Sequence, residues 1–246
     1  MPAQGILHAG APEDAGISSD NLAGLFTKPP GKLYLLHGDP AIFQFSLWVA
    51  MQAIMKGSSV AVVDGCNRFD VEAVIRFARE RRRNPDEVLR QIFISRSFTC
   101  YQMEQTVASR LPSFLESIGS TTAIIFGLLD TFYDEQAPFH EVRQILQRLL
   151  VTLREMKAAG ISVLLASLEH NVLPKERNQL FTTLKTGVDH SYRLQFNENH
   201  HLEVFLEQGG MTDGTNRTDL YQHHRQRTGK LVQIPSRASK GGPGVV

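Results

Sequence analysis

Leu33-Tyr34-Leu35-Leu36-His37-Gly38-Asp39-Pro40-Ala41-Ile42-Phe43-Gln44-Phe45-Ser46 is the stretch that decides the fold. Residues 33–37 form a short, continuously apolar run ending on a histidine. Gly38-Asp39-Pro40 punctuates it, and residues 41–56 continue as a longer apolar segment. Glycine and proline at such a junction stop a strand and let a helix begin, so the order strand, turn, helix is predicted.

The same rhythm repeats outward. Strands are predicted over 59–64, 91–96, 122–126 and 161–167, and helices over about 70–83, 101–118 and 139–159. The strand runs are apolar throughout rather than alternating, as expected when helices cover both faces of a sheet. Strands alternating with helices of this length imply right-handed crossovers and a mostly parallel sheet. After Asp189 the pattern changes to two alternating segments, 190–196 and 201–207, around Asn197-Glu198-Asn199-His200, which predicts an antiparallel hairpin at the sheet edge. The expected organisation is an N-terminal extension over 1–14, an α/β core over 15–208 and a tail over 209–246, of which 235–246 reads as disordered.

The chain has 246 residues, of which 42% are hydrophobic and 21% charged, a balance that suits a soluble globular domain. No run approaches the ~20 apolar residues of a membrane-spanning helix. Two cysteines, Cys66 and Cys100, match neither a disulfide framework nor a zinc spacing, so a cytoplasmic protein without membrane attachment is expected. Net charge is +1, yet from Leu220 onward there are five basic residues and no acid, leaving the rest at −4. Arg225, Arg227, Lys230, Arg237 and Lys240 are therefore the candidates for contact with DNA phosphates.

In a parallel sheet ligands bind beyond the carboxyl ends of the strands. A phosphate loop at the end of the first strand needs G-x-x-x-x-G-K-[ST]: glycines so that backbone N–H groups curl round the phosphates, lysine for the β- and γ-phosphates, a hydroxyl for magnesium. Over Gly38, Asp39, Pro40, Ala41, Ile42, Phe43, Gln44 and Phe45 only the first glycine is present. Phe43, Gln44 and Phe45 replace the second glycine, the lysine and the hydroxyl residue.

The register of several segments resembles the RecA/RadA recombinase ATPase core, including its KaiC-like branch. Residues 18–26 are similar to the helix before the phosphate loop and Gly31 to Gly38 to its entry strand. Val60-Ala61-Val62-Val63-Asp64 resembles the strand leading to the catalytic glutamate. Ser95-Arg96-Ser97-Phe98-Thr99-Cys100-Tyr101-Gln102 resembles the Arg-Ala-Phe segment, residues 123–126 the Walker B strand, and 162–167 the strand before the DNA-sensing loop. The resemblance spans roughly residues 15–207 and implies a RecA-like three-layer fold. It also exposes departures: Cys66 stands where the family has its glutamate, and Gly127 where the Walker B aspartate belongs, with Asp130 and Asp134 as the nearest metal-ligand alternatives.

Phosphoryl transfer depends on positioning and charge stabilisation, and losing one preorganised donor costs on the order of 10²–10³ in rate. With lysine, magnesium ligand and base all replaced, no catalytic residue and no cofactor are expected, Mg-ATP bound through the amides of Asp39 to Phe43 being the alternative. The strand ends contribute further candidates: Asp64, Cys66, Asn67, Arg68, Arg96, Asp130, Glu169 and His170. Cys66 reads as a structural thiol or a nucleophile, Asp70 as a helix cap, and Arg96 as an ion-pair partner or a site residue. Glu169-His170 occupies the position of the family's DNA- or γ-phosphate-sensing loop. The stretch Asp130 to Glu135 is an acidic helix-capping loop or a magnesium site. Arg76, Arg79, Arg81, Arg82, Arg83 and Arg90 alternate with acids as on a solvated helix face.

The resemblance implies a DNA recombination or repair accessory protein without efficient ATPase activity. Its partners would be single-stranded DNA or another RecA-like subunit. The alternatives are an atypical, slowly hydrolysing ATPase and a regulatory protein-interaction module. F-x-x-A, the recombinases' polymerisation motif, is absent from the sequence, so a monomer or small oligomer is expected.

Overall fold

The computed structural model describes Phe26 and residues 30–134, 136–196 and 202–209. The basic tail residues, the 1–14 extension, the 197–200 turn and the 235–246 segment lie outside the described residues. One seven-stranded sheet organises the chain, in the spatial order β3-β2-β4-β5-β1-β6-β7. Its strands are β1 (Leu33–Gly38), β2 (Val60–Asp64), β3 (Ile92–Arg96), β4 (Thr122–Phe126), β5 (Ser162–Ala166), β6 (His190–Phe196) and β7 (Leu202–Gly209). β1 to β6 are parallel, and β7 runs antiparallel to β6.

Reversals of strand order decide which helix covers which face. From β1 the chain moves one way along the sheet to β2 and β3, then returns through β4 and β5 to β6. Right-handed crossovers then put the first helices on one face and the later ones on the other. Burial follows that division. Ile42, Phe45 and Val49 of α1 (Ala41–Met55), Val74 and Phe77 of α2 (Val71–Glu80) and Val88 of α3 (Pro85–Leu89) pack on Leu36, Val62, Ile124 and Leu164. The opposite face receives α4 (Cys100–Glu104), a π-helical turn (Gln105–Arg110), α5 (Leu111–Ser117), α6 (Phe139–Ala158) and α7 (Gln179–Gly187), against Leu33, Leu35, Val63, Ile125 and Leu165. Alternate residues of each central strand thus enter opposite cores, which is why the runs contain no polar alternation.

Local chemistry marks the helix starts. Asp70 caps α2 by accepting the Ala73 N–H at 3.0 Å, and Thr99 caps α4 by accepting that of Gln102 at 3.2 Å. On α6, Val142, Ile145, Leu146, Leu149, Leu150 and Leu153 recur at three- and four-residue spacing and form its buried stripe.

Three expectations need correction. β3 is not covered on both faces: only Ile92 is buried, because the strand is the edge of the sheet. The predicted helix over 70–83 stops at Glu80 and is followed by the separate short α3. The stretch between β5 and β6 holds α7, which the apolar pattern did not announce. Beside β3, Val63, Phe93, Thr106, Arg110, Leu111 and Phe114 line an open groove of about 480 Å³. No helix among the described residues is long and apolar enough to cross a membrane.

Candidate functional site at the carboxyl ends of the strands

β2, β4, β5 and β1 are consecutive in the sheet, so their carboxyl ends form one rim that carries the loop candidates. At the end of β1 the degenerate loop is short: the strand ends at Gly38, two residues intervene, the helix begins at Ala41, and Ile42, Phe43 and Phe45 are buried within it. Every N–H between Asp39 and Phe43 already has an acceptor. Asp39 donates to Leu194 O at 2.8 Å, Ala41 to Asp39 Oδ1 at 2.8 Å, Ile42 to Asp39 O at 3.0 Å and Phe43 to Pro40 O at 3.2 Å; Pro40 has no N–H. Gly38 also has a local reason. Its φ is +105°, and a Cβ there would collide with the Leu194 carbonyl oxygen.

The Phe43 ring is buried: it meets Phe126 edge-on at 5.4 Å, and the Arg68 guanidinium sits 5.8 Å from its centroid. Arg68 belongs to the loop after β2, which Asp64 holds. The Asp64 side chain is 1% exposed, and its carboxylate accepts N–H bonds from Cys66 at 3.2 Å, Arg68 at 3.1 Å and Phe69 at 3.0 Å. Asn67 completes this turn in a left-handed conformation, φ +54°, and is exposed.

Cys66 and Gly127 interlock. Gly127, at φ +58°, follows β4, and a Cβ on it would stand 2.5 Å from Cys66 Sγ. Burial pushes the Cys66 thiol well above the usual range, and the charges of Asp130 and Asp64 push it further. Asp130 Oδ1 lies 3.4 Å from His170 Nε2, and Tyr133 meets the His170 ring edge-on at 5.5 Å. Glu169 pairs instead with Arg193 at 3.3 Å. Asp134 accepts the Gln136 N–H at 3.0 Å, a turn-forming role. Among the described residues no three His, Cys, Asp or Glu side chains converge as a metal site would require. The ion pair considered for Arg96 is not formed among the described residues; Arg96 is exposed beside Asp64 in the β2–β3 ladder.

Some residues at or near this rim gave no sequence signal. Arg177 is 3% exposed and donates to the carbonyls of Phe132 and Ala137, pinning the loop after β4. His37, fully buried on β1, bonds Glu207 Oε2 of β7 at 2.8 Å, and Lys185 of α7 donates to the same oxygen at 2.6 Å. Burial holds the His37 imidazole below its ordinary value of 6.5, against the upward pull of Glu207. Burial works to raise the Glu207 carboxyl, but the Lys185 bond and the neighbouring positive charge override it, leaving it below 4.5.

A pH dependence follows from these directions. Below pH 6.5 the unfolded chain takes up the His37 proton before the folded one does, so stability is flat above that pH and declines beneath it. The slope from one histidine is up to about 1.4 kcal/mol per pH unit. Glu207 adds a loss beginning only below about pH 4.5. His190, lowered by burial and by Lys32, acts in the same sense as His37. Urea midpoints at pH 5.5 and 7.5 are therefore expected to differ less in His37→Gln than in the unsubstituted chain. Equal differences in the two proteins would refute the assignment to His37.

The class these observations define is an α/β protein with a seven-stranded, mostly parallel sheet and an antiparallel edge strand. No model of a known protein family matches the chain, and no curated protein matches it.

Proposed function

We propose that the chain is a RecA/RadA-like accessory protein of DNA recombination or repair, built on a RecA-like core whose nucleotide site is closed. The observation that carries the absence of efficient ATPase activity is the fully bonded backbone from Asp39 to Phe43 beneath two buried phenylalanines. A phosphate would have to break those bonds before it gained any. Supporting the RecA-like assignment, the segments that resemble the entry strand, the glutamate strand, the Walker B strand and the sensor strand are neighbours in one sheet with their ends on one rim. The open groove beside the edge strand β3, apolar apart from Ser95, Thr106 and Arg110, supports a scaffold that docks another RecA-like subunit.

A thermal-shift titration with ~1 mM ADP or ATP, with and without magnesium, is the direct test. A site with a dissociation constant near 10 μM would raise the melting temperature by roughly 5–10 °C; no shift is expected. In parallel, the protein is added to a strand-exchange reaction run by the recombinase of its own organism, and the rate is expected to change. A nucleotide shift, or an unchanged strand-exchange rate, contradicts the reading. The slow-ATPase reading draws on Asp130 Oδ2, buried and unpartnered among the described residues. Turnover appearing only on mixing with a RecA-like partner would establish it.

A further inference from the structure

We propose that the groove between β3 and the π-helical turn binds a small aromatic carboxylate, with Arg110 and Thr106 holding the acid and Phe93 and Phe114 the ring. Its floor lies on one face of the sheet. Ala61 and Val63 of β2 are the ladder partners of Phe93 and Ser95 of β3, so these four side chains point the same way. Thr106, Arg110 and Phe114 of the helical segment form the wall. β3 is the edge of the sheet, and the groove opens beyond it. At about 480 Å³ it has the volume of a small-ligand pocket.

One end of the groove is polar and the other aromatic. The Ser97 hydroxyl donates to Thr106 Oγ1 at 3.1 Å, which sets the carboxyl end of β3 beside the start of the π-helical turn. Phe93 meets Phe114 edge-on at 5.3 Å, which sets the beginning of the strand beside α5. The helical segment therefore runs back along β3, and Arg110 stands between the two ends. A π-helical turn is rare and often sits at a functional site. Here it carries both Thr106, 7% exposed, and Arg110.

The polar groups of the groove are donors without acceptors. Thr106 accepts from Ser97, and its own O–H has no acceptor among the described residues. Arg110 is exposed, and its guanidinium has no partner among the described residues. Glu104, the acid just before the turn, is already paired with Arg148. An apolar wall that ends in a free cation and a free hydroxyl complements an apolar body that ends in an anion. A carboxylate supplies two acceptor oxygens, one for the guanidinium and one for the hydroxyls of Thr106 and half-buried Ser95. Aromatic rings gain from edge-on or offset contact, and Phe93 and Phe114 offer it at the far end. The groove alone is too small for a stable protein interface, which covers about 800 Å² per partner. A docked subunit would reach beyond the groove and cover its mouth, so ligand and subunit would compete. That consequence alone rests on the accessory-protein reading.

The test is ligand-observed NMR titration of the full chain with naphthalene-carboxylate at neutral pH, with the uncharged naphthalene-carboxamide as comparison. The expected dissociation constant of the acid is about 1 mM or lower. Arg110→Ala is expected to weaken the acid by about 10- to 100-fold and to leave the amide unaltered, and Arg110→Lys should recover part of the loss. Ser95→Leu fills the floor with the charge retained and should abolish binding of both. Arg110 is exposed, so its variants should melt with the parent, and cooperative melting of Ser95→Leu checks that it folds. The proposal is overturned if the unsubstituted chain does not bind the acid, if the amide binds equally well, or if Arg110→Ala keeps the affinity. The two readings fail separately. Arg110-dependent binding in a protein with no effect on the recombinase removes the accessory role alone. A strand-exchange effect that Ser95→Leu abolishes, without any binding of the acid, removes the carboxylate site alone.

Discussion

Replacing Phe45 by threonine, the kind of residue a working phosphate loop carries there, is expected to destabilise the protein by about 3–5 kcal/mol and to confer no affinity for Mg-ATP. Phe45 is fully buried, 6.1 Å from the Phe26 ring and 5.6 Å from Trp48, in the core that α1 shares with the sheet. Truncating it leaves a cavity and buries a hydroxyl, and both effects have the same sign. Gln44→Lys is the informative companion. Gln44 is half-buried, and a lysine's stem can run along the helix to solvent, so the change should cost little stability. It should also bind no nucleotide, since the amides a phosphate needs are committed to Leu194, Asp39 and Pro40. Urea unfolding read with and without ~1 mM ATP measures both quantities. A threonine variant within about 1 kcal/mol of the parent, or a lysine variant stabilised by ATP, would show that the loop opens more readily than its hydrogen bonds indicate.

Asp64→Ala should be nearly as damaging, at about 3–5 kcal/mol, for a polar rather than an apolar reason. One carboxylate satisfies three backbone N–H groups, and hydrogen bonds to a charged acceptor are individually stronger than neutral ones. Deleting it leaves donors beneath a loop that also feeds Asp70 into the cap of α2. For a domain of this size the melting temperature should fall by roughly 10–15 °C. Asp64→Asn keeps one acceptor oxygen and should lose about half as much. Cys66 provides a second readout, because its N–H and thiol both face Asp64. Its modification by a thiol reagent should accelerate in the alanine variant. An Asp64→Ala protein that melts with its parent would mean that water replaces the carboxylate at no cost.

Local pattern carried most of the core. Thr122 to Phe126 is a strand with the limits read from sequence, and Ala41 and Phe139 begin their helices where the pattern begins. What periodicity could not supply was lateral order. β3 looks as apolar as β2, yet it is the edge of the sheet and half-exposed, because neighbours, not composition, decide burial. α7 escaped notice for a different reason. Its sequence, Gln-Leu-Phe-Thr-Thr-Leu-Lys-Thr-Gly, is rich in weak helix formers, and burial of Leu180, Phe181 and Leu184 overrides that propensity.

The candidate rim was legible as a set of strand ends and illegible as pairings. That Asp64 would serve three amides was hidden in a five-residue turn. His37 and Glu207 are separated by 170 residues, and Asp130 and His170 by 40, so only the folded sheet introduces them. Local neighbours alone make Arg96 read as an ion-pair partner, whereas Arg193, which pairs with Glu169, carries no local signal of that contact.

The contact between Cys66 and Gly127 couples two positions that lie far apart in the sequence. A side chain at 127 needs the space that Cys66 fills, and Asp130 Oδ2 closes in from 2.8 Å on the same point. A larger residue arriving at 127 alone meets the thiol, so the two positions can change in size only together. They behave as a lock with two halves: a substitution at one is tolerated only when the other gives way in the same step.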